Sequence, residues 1–430
     1  MNPLAEELNE ILRNSLAFEL LSDYGKRIYF PKGIISQSNE AKQNAYKYNA
    51  TIGVATEKGE AMGLNSVFNG FNSYLKKSDV LSYSPTAGEL NLRKKWLEQM
   101  REKNSALGNK NCSLPIVTSG LTHSINLVAE LFLDKGDSII IPDMYWDNYD
   151  LIFTEQREAN QIAFELFKDN KLNIEGLEQA IDSVKTKKVA LLLNFPNNPT
   201  GYTPTVEEAN TISQMVIKKA DEGKKLLIFV DDAYFGLFFE ENVCHQSLFA
   251  LLADAHKNIL MVKGDAATKE DMVWGFRVGF LTFNNKEMSG QQYEALVQKA
   301  MGSIRATISS SSKPAQTILF EAMKNSHYQK EKEEGVAKIK RRYHLMKKTL
   351  ANYNDNEYLK FLPFNSGYFM TFTCAKDAEK LRLHLLNKYG IGTISIKDRY
   401  LRLAFSSIDL EDIEDLVKTV YQGAQEVLGK

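Results

Sequence analysis

Cysteine is scarce in this sequence, and its three residues, Cys112, Cys244 and Cys374, are far apart. They form neither a disulfide framework nor a CxxC ligand pair, which is typical of a protein from a reducing compartment. No apolar run approaches the roughly eighteen residues that a membrane span needs. The first residues are acidic and amphipathic, without the basic-then-apolar order of a signal peptide. We therefore expect a cytoplasmic protein with no membrane partner.

Charge of one sign is also lacking, since 53 Lys and Arg residues face 54 Asp and Glu residues, a formal net charge of −1. A nucleic-acid-binding protein normally has a basic excess or a basic block, so we expect no nucleic-acid partner. Internal repeats, low-complexity tracts and Pro- or Ser-rich linkers are missing as well. A chain of 430 residues with 43% apolar residues is then expected to form about two folded domains.

Short apolar runs rich in β-formers alternate with longer segments of helical periodicity through the middle of the chain. Several of the runs are apolar on both faces, which is typical of a parallel sheet covered by helices on both sides. This order predicts a doubly wound α/β domain over residues 63–335. Its predicted strands are 115–118, 138–141, 189–194, 226–230, 259–262 and 277–283, and its predicted helices include 121–133 and 206–219.

The chain changes character after this region. Residues 327–348 are densely charged with a sparse apolar stripe, which predicts a long, mostly solvated helix. Interleaved glutamates argue against the alternative, a basic binding surface. Predicted strands 368–373 and 400–405 and predicted helices 376–388 and 410–428 indicate a smaller α+β domain over 336–430. Residues 1–62 are expected to form an N-terminal arm and part of this smaller domain.

Chemistry-bearing side chains follow the predicted strands, and ligands of open α/β sheets bind beyond the carboxyl ends of the strands. One strand leads into a helix whose free N–H groups favour an anion. The others lead into an aromatic cluster, an amide, a carboxylate, a phenol, a lysine and an arginine. Together these groups suit a planar, phosphorylated, carbonyl-bearing ligand. They are Ser119, Gly120, Tyr145, Trp146, Tyr149, Asn194, Asn198, Asp231, Tyr234, Lys269 and Arg277.

Motifs in a fixed order carry a resemblance over about residues 50–410. NNPTG at 197–201 and DDAY at 231–234 precede Lys269, and GFRVG at 275–279 follows it. This order resembles the class I and II aminotransferases that use pyridoxal 5'-phosphate, closest in motif to the aspartate and aromatic ones. The resemblance implies fold type I, with a large, mostly parallel, seven-stranded sheet domain, a smaller α+β domain and a homodimer that shares its active sites.

The resemblance also implies roles around the cofactor. Lys269 forms the Schiff base and shuttles the substrate proton, and we expect nearby cations to lower its pKa. Asp231 pairs with the pyridine nitrogen and keeps it protonated. The other expected contacts are Asn198 and Tyr234 to the phenolic oxygen, Trp146 to the ring, Arg277, Gly120, Leu121, Thr122 and Thr268 at the phosphate, and Tyr83 reaching the phosphate from the neighbouring subunit.

Three further residues are expected to bind substrate. Arg402, in YLRLAF, matches the arginine that grips the α-carboxylate, and Gly53 is placed among the substrate contacts. Arg305 matches an arginine that the partner subunit offers to a second carboxylate. The expected function is amino transfer by a ping-pong mechanism, with aspartate or glutamate favoured and an aromatic substrate second. A lyase or decarboxylase on the same fold is the alternative.

Each residue also has a structural alternative. Asn198 could be a turn residue, Trp146 a core residue, and Arg305 part of a surface ion pair. Asp231 could cap a helix or bind a metal, but no ligand cluster accompanies it at metal-ligand spacing, so we expect no metal. His123 is expected to be a packed or capping histidine.

The sequence departs from the family pattern in two ways. Ala266 stands where a Ser or Thr usually bonds the phosphate, and Thr268 or Ser119 could supply the missing hydroxyl. Acidic side chains also flank the site, which predicts negative charge beside a phosphate. They are Asp265, Glu270 and Asp271.

Overall fold

The structure, a computed structural model, describes residues 1–13, 21, 23–27, 34–51, 53–72 and 75–429. Its largest sheet has seven strands in the spatial order β1-β7-β6-β5-β4-β2-β3. All neighbouring strands are parallel except β7, which is antiparallel to β6 and β1. The fold class expected from the sequence is confirmed. The strands are β1 (Ile116–Ser119), β2 (Ser138–Pro142), β3 (Asn160–Phe164), β4 (Lys188–Asn194), β5 (Lys225–Asp231), β6 (Ile259–Ala266) and β7 (Val278–Asn284).

The central strands owe their position to continuous apolar sequence. In β4 and in β5, every residue after the first lysine is buried, as expected for a sheet covered on both faces. The sequence analysis does not predict β3, whose residues are mostly exposed or half-buried. This strand lies at the edge of the sheet, where the two-sided apolar signal is absent.

The C-terminal region contains a second sheet of four antiparallel strands, in the order β8-β9-β11-β10. Its strands are β8 (Leu359–Phe361), β9 (Phe369–Cys374), β10 (Ile394–Ile396) and β11 (Tyr400–Ala404). The sequence predicts only β9 and β11, the two longest. The N-terminal segment joins this region because Tyr48–Asn49 pairs in parallel with Ile391–Gly392. Two further two-stranded pairs are Thr56–Glu57 with Glu60–Ala61 and Phe167–Lys168 with Lys171–Leu172. The boundaries 1–62, 63–335 and 336–430 stay predictions.

Helices of four to twenty-three residues pack against these sheets. They are Pro3–Leu12, Asp23–Arg27, Ile34–Asn44, Asn65–Phe68, Lys77–Leu81, Leu90–Lys103, Leu121–Phe132, Ile174–Ser183, Val206–Asp221, Leu248–Leu252, Ala267–Glu270, Gly290–Thr307, Lys313–Met323, Tyr328–Leu350, Ala378–Tyr389 and Ile413–Leu428, with a π-helix at Asp150–Gln156 and 3₁₀ turns at Asn69–Asn72, Trp274–Phe276, Ala351–Tyr353, Phe405–Ser407 and Leu410–Asp412. Among the described residues, no helix is both long enough and apolar enough to cross a membrane.

The helix Tyr328–Leu350, called the long helix below, differs from its prediction. It buries a stripe that includes Ile339, Tyr343 and Met346, so the expectation of a mostly solvated helix is wrong for this face. Two of the buried residues are charged, Lys332 and Arg342. Arg342 donates a hydrogen bond to the carbonyl oxygen of Ser406 and pairs with Asp409. Buried partners of this kind are invisible in the composition of the helix itself.

Gly201, in the NNPTG segment, lies against the backbone of β9 in the second sheet. It has φ +75°, and a Cβ there would lie 2.0 Å from the carbonyl oxygen of Phe369. Gly223 is also left-handed, at φ +96°, but a Cβ there would meet no atom within 4 Å.

We therefore expect Gly201→Ala to destabilise the protein more than Gly223→Ala. A left-handed alanine costs about 1–2 kcal/mol at either position, and the clash at Gly201 adds about 1–3 kcal/mol. Denaturant unfolding monitored by circular dichroism measures the difference. Equal unfolding free energies for the two variants would contradict the close approach.

Candidate active site

The register of the large sheet brings polar groups to one edge. Asn194, the last residue of β4, lies opposite Asp231 of β5, and Asp231 lies opposite Gly264 of β6. The Asn194 amide donates to the carbonyl oxygen of Asp231 at 3.0 Å. A cavity of about 400 Å³ opens at this edge. Among the residues predicted for the site, those that line it are Gly53, Leu121, Thr122, Trp146, Asn198, Asp231, Tyr234, Thr268, Lys269, Arg277 and Arg402.

Asp231 is buried and held by two donors. The Tyr149 hydroxyl donates to its Oδ2 at 2.6 Å, and the Ala233 N–H donates to its Oδ1 at 3.1 Å. Burial raises the pKa of Asp231, and these hydrogen bonds oppose the rise. The sequence analysis does not identify Tyr149 as the partner of Asp231, because only the fold brings the aromatic cluster beside β5.

The three residues of the aromatic cluster, Tyr145, Trp146 and Tyr149, have different positions relative to the cavity. The Tyr145 hydroxyl donates to Asp150 at 2.9 Å, and Tyr145 does not line the cavity. Trp146 is half-buried, lines the cavity and lies nearly perpendicular to the Tyr149 ring, at 77°. Trp146 therefore presents an aromatic surface to the cavity, and its stacking on a ligand stays a prediction.

Lys269 lies on the short helix Ala267–Glu270 that follows β6, with its Nζ 4.7 Å from the centroid of the Tyr234 ring. Burial lowers the pKa of Lys269 to about 8, Asp231 opposes this shift, and Arg277 adds to it. From the sequence, nearby cations are expected to lower the pKa of Lys269. The direction agrees with that expectation, but the principal cause is burial, since Arg277 makes the smaller contribution.

Gly120 and Arg277 together form an anion-binding cradle. Gly120 has φ +77°, and a Cβ there would lie 2.5 Å from Arg277 Nη2, so only glycine lets the guanidinium take this position. The helix Leu121–Phe132 begins next to it, and the first N–H groups of a helix have no carbonyl partner one turn earlier. These donors and the guanidinium fit a phosphate group.

The hydroxyl missing at Ala266 has a substitute within the cavity. Thr268 lines the cavity, whereas Ser119 does not. The acidic neighbours are ion-paired with lysines of this chain: Asp265 with Lys263, Glu270 with Lys103 and Lys332, and Asp271 with Lys332. Glu270 and Asp271 are thus balanced by Lys103 and Lys332, whose closeness cannot be foreseen from the sequence because they come from distant segments. Lys263, two residues before Asp265 on β6, is shared between Asp265 and Asp232.

Arg402 is buried and has neutral partners. Its Nη1 donates to Asn198 Oδ1 at 3.0 Å and its Nη2 donates to the carbonyl oxygen of Thr51 at 3.1 Å. Its guanidinium carbon lies 4.3 Å from the centroid of the Phe369 ring. Burial lowers its pKa to about 10, so it stays charged at neutral pH. Within the described part of the chain, no carboxylate lies within 4 Å of it, which leaves its charge available to an anionic ligand.

Three predicted residues are not among those that line the cavity: Gly120, which lies against Arg277 beside it, Tyr83 and Arg305. Tyr83 is 92% exposed. Arg305 is also exposed and donates to Ser309 Oγ at 3.0 Å. His123 accepts a hydrogen bond from the Ser119 N–H at 3.1 Å, as a packed or capping histidine does. Tyr149 and Asn194, expected from the sequence to lie at this edge, also line the cavity. Cavity residues that the sequence does not point to are Ser38, Thr51, Val54, Ala233, Trp274 and Phe369. Across the described residues, no group of three His, Cys, Asp or Glu side chains could hold a metal ion.

The sequence of this chain matches the model of a known protein family. The model of the family "Aminotransferase class I and II" matches residues 42–420. The chain belongs to this family. Members of this family use pyridoxal 5'-phosphate. This chain has a cradle, Gly120 with Arg277, that fits the phosphate of that cofactor, and a buried carboxylate, Asp231, that fits its ring nitrogen.

Individual relatives are more distant. An aspartate aminotransferase of Musicola paradisiaca is 31% identical over 161 residues, which are 37% of this chain and 38% of that protein. A probable N-acetyl-LL-diaminopimelate aminotransferase of Bacillus subtilis is 27% identical over 203 residues, 47% of this chain and 48% of that protein. The matches thus span less than half the length of these curated relatives.

Solved structures are similar over nearly their whole length. A crystal structure of an aminotransferase from Anaerococcus prevotii has a TM-score of 0.83 at 26% identity, covering 93% of this chain and 98% of that one. The aspartate aminotransferase of Thermus thermophilus with maleate has a TM-score of 0.72 at 19% identity, covering 95% of this chain and 99% of that one. The latter similarity concerns the fold alone.

The contact between Gly120 and Arg277 predicts that adding a methyl group at Gly120 weakens cofactor binding. Gly120→Ala places a Cβ against Arg277, whereas Gly136→Ala introduces alanine at a similar φ, +83°, with no atom within 4 Å. We expect Gly120→Ala to weaken pyridoxal phosphate binding by about 10-fold or more, because a charge-assisted hydrogen bond contributes about 1.5–3 kcal/mol. Equilibrium titration of cofactor-free protein measures the dissociation constant. Equal affinities in the two variants would contradict the assignment of the phosphate to Gly120 and Arg277.

Proposed function

We propose that this protein transfers an amino group between an L-amino acid and a 2-oxo acid in a ping-pong cycle, with aspartate or glutamate favoured and an aromatic amino acid second. The observation that carries the proposal is the presence of the Arg402 guanidinium and the Lys269 amine in one cavity. Arg402 stays charged and forms no ion pair with a carboxylate of the described residues, and Lys269 has a lowered pKa. One suits the α-carboxylate of an amino acid and the other the proton on its Cα.

The cavity residues would hold the cofactor by complementary chemistry. Asp231 is the anion for the ring nitrogen, and Tyr149 holds that carboxylate in place. Asn198 offers its amide N–H groups, because Arg402 can only donate and therefore faces the amide oxygen. Tyr234 would supply a further hydrogen bond to the phenolic oxygen. When bound, pyridoxal phosphate supplies an electron-withdrawing ring that accepts the electron pair of a bond broken at Cα.

Lys269 would move the substrate proton. An amine whose pKa is about 8 is uncharged in roughly half of the molecules at pH 8, whereas an ordinary lysine is almost fully charged there. Arg402 would fix the α-carboxylate through two parallel N–H groups, orienting the Cα–H bond toward the lysine. Gly53 and Trp146 line the same cavity beside the substrate.

A second copy of the chain would complete the site. Large apolar side chains are exposed on segments near Tyr83, and Phe71 contacts Phe276, the residue before Arg277. We propose a homodimer in which Tyr83 reaches the partner's phosphate and Arg305 the partner's substrate. The exposed side chains are Phe68, Phe71, Leu81, Tyr83, Leu90 and Ile308. A monomer at assay concentrations, or an unchanged preference for L-aspartate over L-phenylalanine in Arg305→Gln, would count against this assembly. The cytoplasmic location stays a prediction.

Stoichiometry tests the proposed reaction against a lyase or decarboxylase. With L-aspartate and 2-oxoglutarate, we expect one oxaloacetate and one glutamate per turnover, and without the oxo acid no more than one oxaloacetate per active site. Lys269→Ala should abolish turnover, because it removes both the attachment point and the proton acceptor. Release of ammonia or carbon dioxide in the absence of an oxo acid would favour the alternative reactions.

Arg402→Gln should reduce kcat/KM for the preferred amino acid by about 30- to 1000-fold, since losing one member of a buried charged pair costs about 2–4 kcal/mol. Arg399→Gln, which changes an exposed arginine near the same strand, is the matched control. A primary amine lacking the α-carboxylate should react equally with wild type and Arg402→Gln. If Arg402→Gln lowers kcat/KM for the amino acid and for the amine by the same factor, the arginine has no specific role in carboxylate binding.

A further inference from the structure

A cluster of buried charges directly follows Lys269 and takes no part in the proposed chemistry. Lys332 Nζ, from the long helix, lies 3.0 Å from Glu270 Oε1 and 2.7 Å from Asp271 Oδ1. Asp271 is fully buried, and the Lys332 side chain is only 9% exposed. Charges in such surroundings are costly unless they are paired.

The two carboxylates have unequal support. Glu270 also pairs with Lys103, at the end of the helix Leu90–Lys103. Asp271 accepts a hydrogen bond from the Tyr328 hydroxyl, and its Oδ2 is buried without a partner. Among the described residues, Lys332 is the one ammonium group paired with Asp271. Removing it leaves Asp271 with a neutral donor only.

These carboxylates cannot move far from Lys269. The Asp271 N–H donates to the carbonyl oxygen of Ala267 at 2.9 Å, and the Met272 N–H donates to that of Lys269 at 3.3 Å. The turn therefore keeps the backbone of Asp271 within about 7 Å of that of Lys269. An unpaired negative charge at this distance would stabilise a proton on a neighbouring amine.

We propose that Lys332 is a positioning residue whose ammonium neutralises Asp271 and shares Glu270, so that these carboxylates do not hold a proton on the amine of Lys269. The cluster has two positive and two negative members, Lys103, Lys332, Glu270 and Asp271. The groups that do shift the pKa of Lys269 lie elsewhere: its own burial, Asp231 from β5 and Arg277. This inference rests on the proposed function in one respect: there, an uncharged Lys269 accepts the proton from the substrate Cα.

The same helix also supports the substrate arginine. Arg342, further along the long helix, binds the carbonyl oxygen of Ser406, which follows the strand β11 that carries Arg402. Lys332 and Arg342 thus connect one rigid element to the turn of Lys269 and to the end of the strand of Arg402. These two contacts explain why Lys332 and Arg342, although charged, belong to the buried face of the long helix.

The inference is tested on the full chain freed of cofactor. Acetic anhydride modifies uncharged amines, and peptide mass spectrometry of the fragment containing Lys269 gives the extent of modification as a function of pH. We expect Lys332→Met to raise the apparent pKa of Lys269 by about one unit, the effect of one unit charge near 10 Å in a protein interior. Lys332→Arg should restore the wild-type value, since it restores the charge.

Charge-balanced variants keep the test decisive if Lys332→Met folds poorly. Asp271→Asn leaves Lys332 in excess and should lower the apparent pKa of Lys269. The double variant Lys332→Met with Asp271→Asn should return it close to the wild-type value. Lys338→Met, which removes a surface partner of Glu57 from the same helix, should leave it unchanged.

The results separate this inference from the proposed function. A purely structural Lys332 would lower the melting temperature in Lys332→Met without moving the pKa, and that result would overturn the inference. So would a wild-type Lys269 that titrates like a surface lysine. Because neither cofactor nor substrate is present, loss of transamination does not affect the outcome.

Discussion

The parallel register of β4, β5 and β6 is the constraint on which the rest of the site depends. It sets Asn194 beside Asp231 and Asp231 beside Gly264, so the chains leaving these strands meet at one edge of the sheet. A slip of one residue would turn Asp231 to the opposite face. The apolar strands that fix this register are thus the origin of a buried carboxylate placed close to a buried amine.

Pairing with carboxylates distinguishes the buried Lys263 and Lys332 from Lys269. Lys263 and Lys332 are desolvated, which opposes their charge, but neighbouring carboxylates outweigh the burial and raise the pKa of both. Lys269 is also desolvated, and Asp231 opposes the effect only in part, so its pKa falls to about 8. Arg402 keeps its charge with neutral partners. Lys263 and Lys332 are thus paired structural cations, whereas Lys269 and Arg402 line the cavity without such a pairing among the described residues.

Much of this was accessible from the sequence, for identifiable reasons. Two-sided apolar runs predict β4 and β5, and the residues just beyond the strands predict Asp231 and Lys269. The edge strand β3 lacks that apolar signal and was not predicted. Contacts between distant segments are equally invisible, which is why the role of Tyr149 and the lysine partners of Glu270 and Asp271 emerge only from the fold. Tyr83 and Arg305 stay predictions because a single chain does not contain the partner to which they would belong.

Chemical trapping of the cofactor tests the central claim most directly. Borohydride reduction of the holoprotein, followed by digestion and mass spectrometry, identifies the side chain that carries pyridoxal phosphate. We predict that the added mass maps to Lys269 alone, and that Lys269→Ala, with its visible absorption band lost, carries none. Labelling of a different lysine, or absence of any label in protein saturated with pyridoxal phosphate, would contradict the assignment of this cavity as the active site.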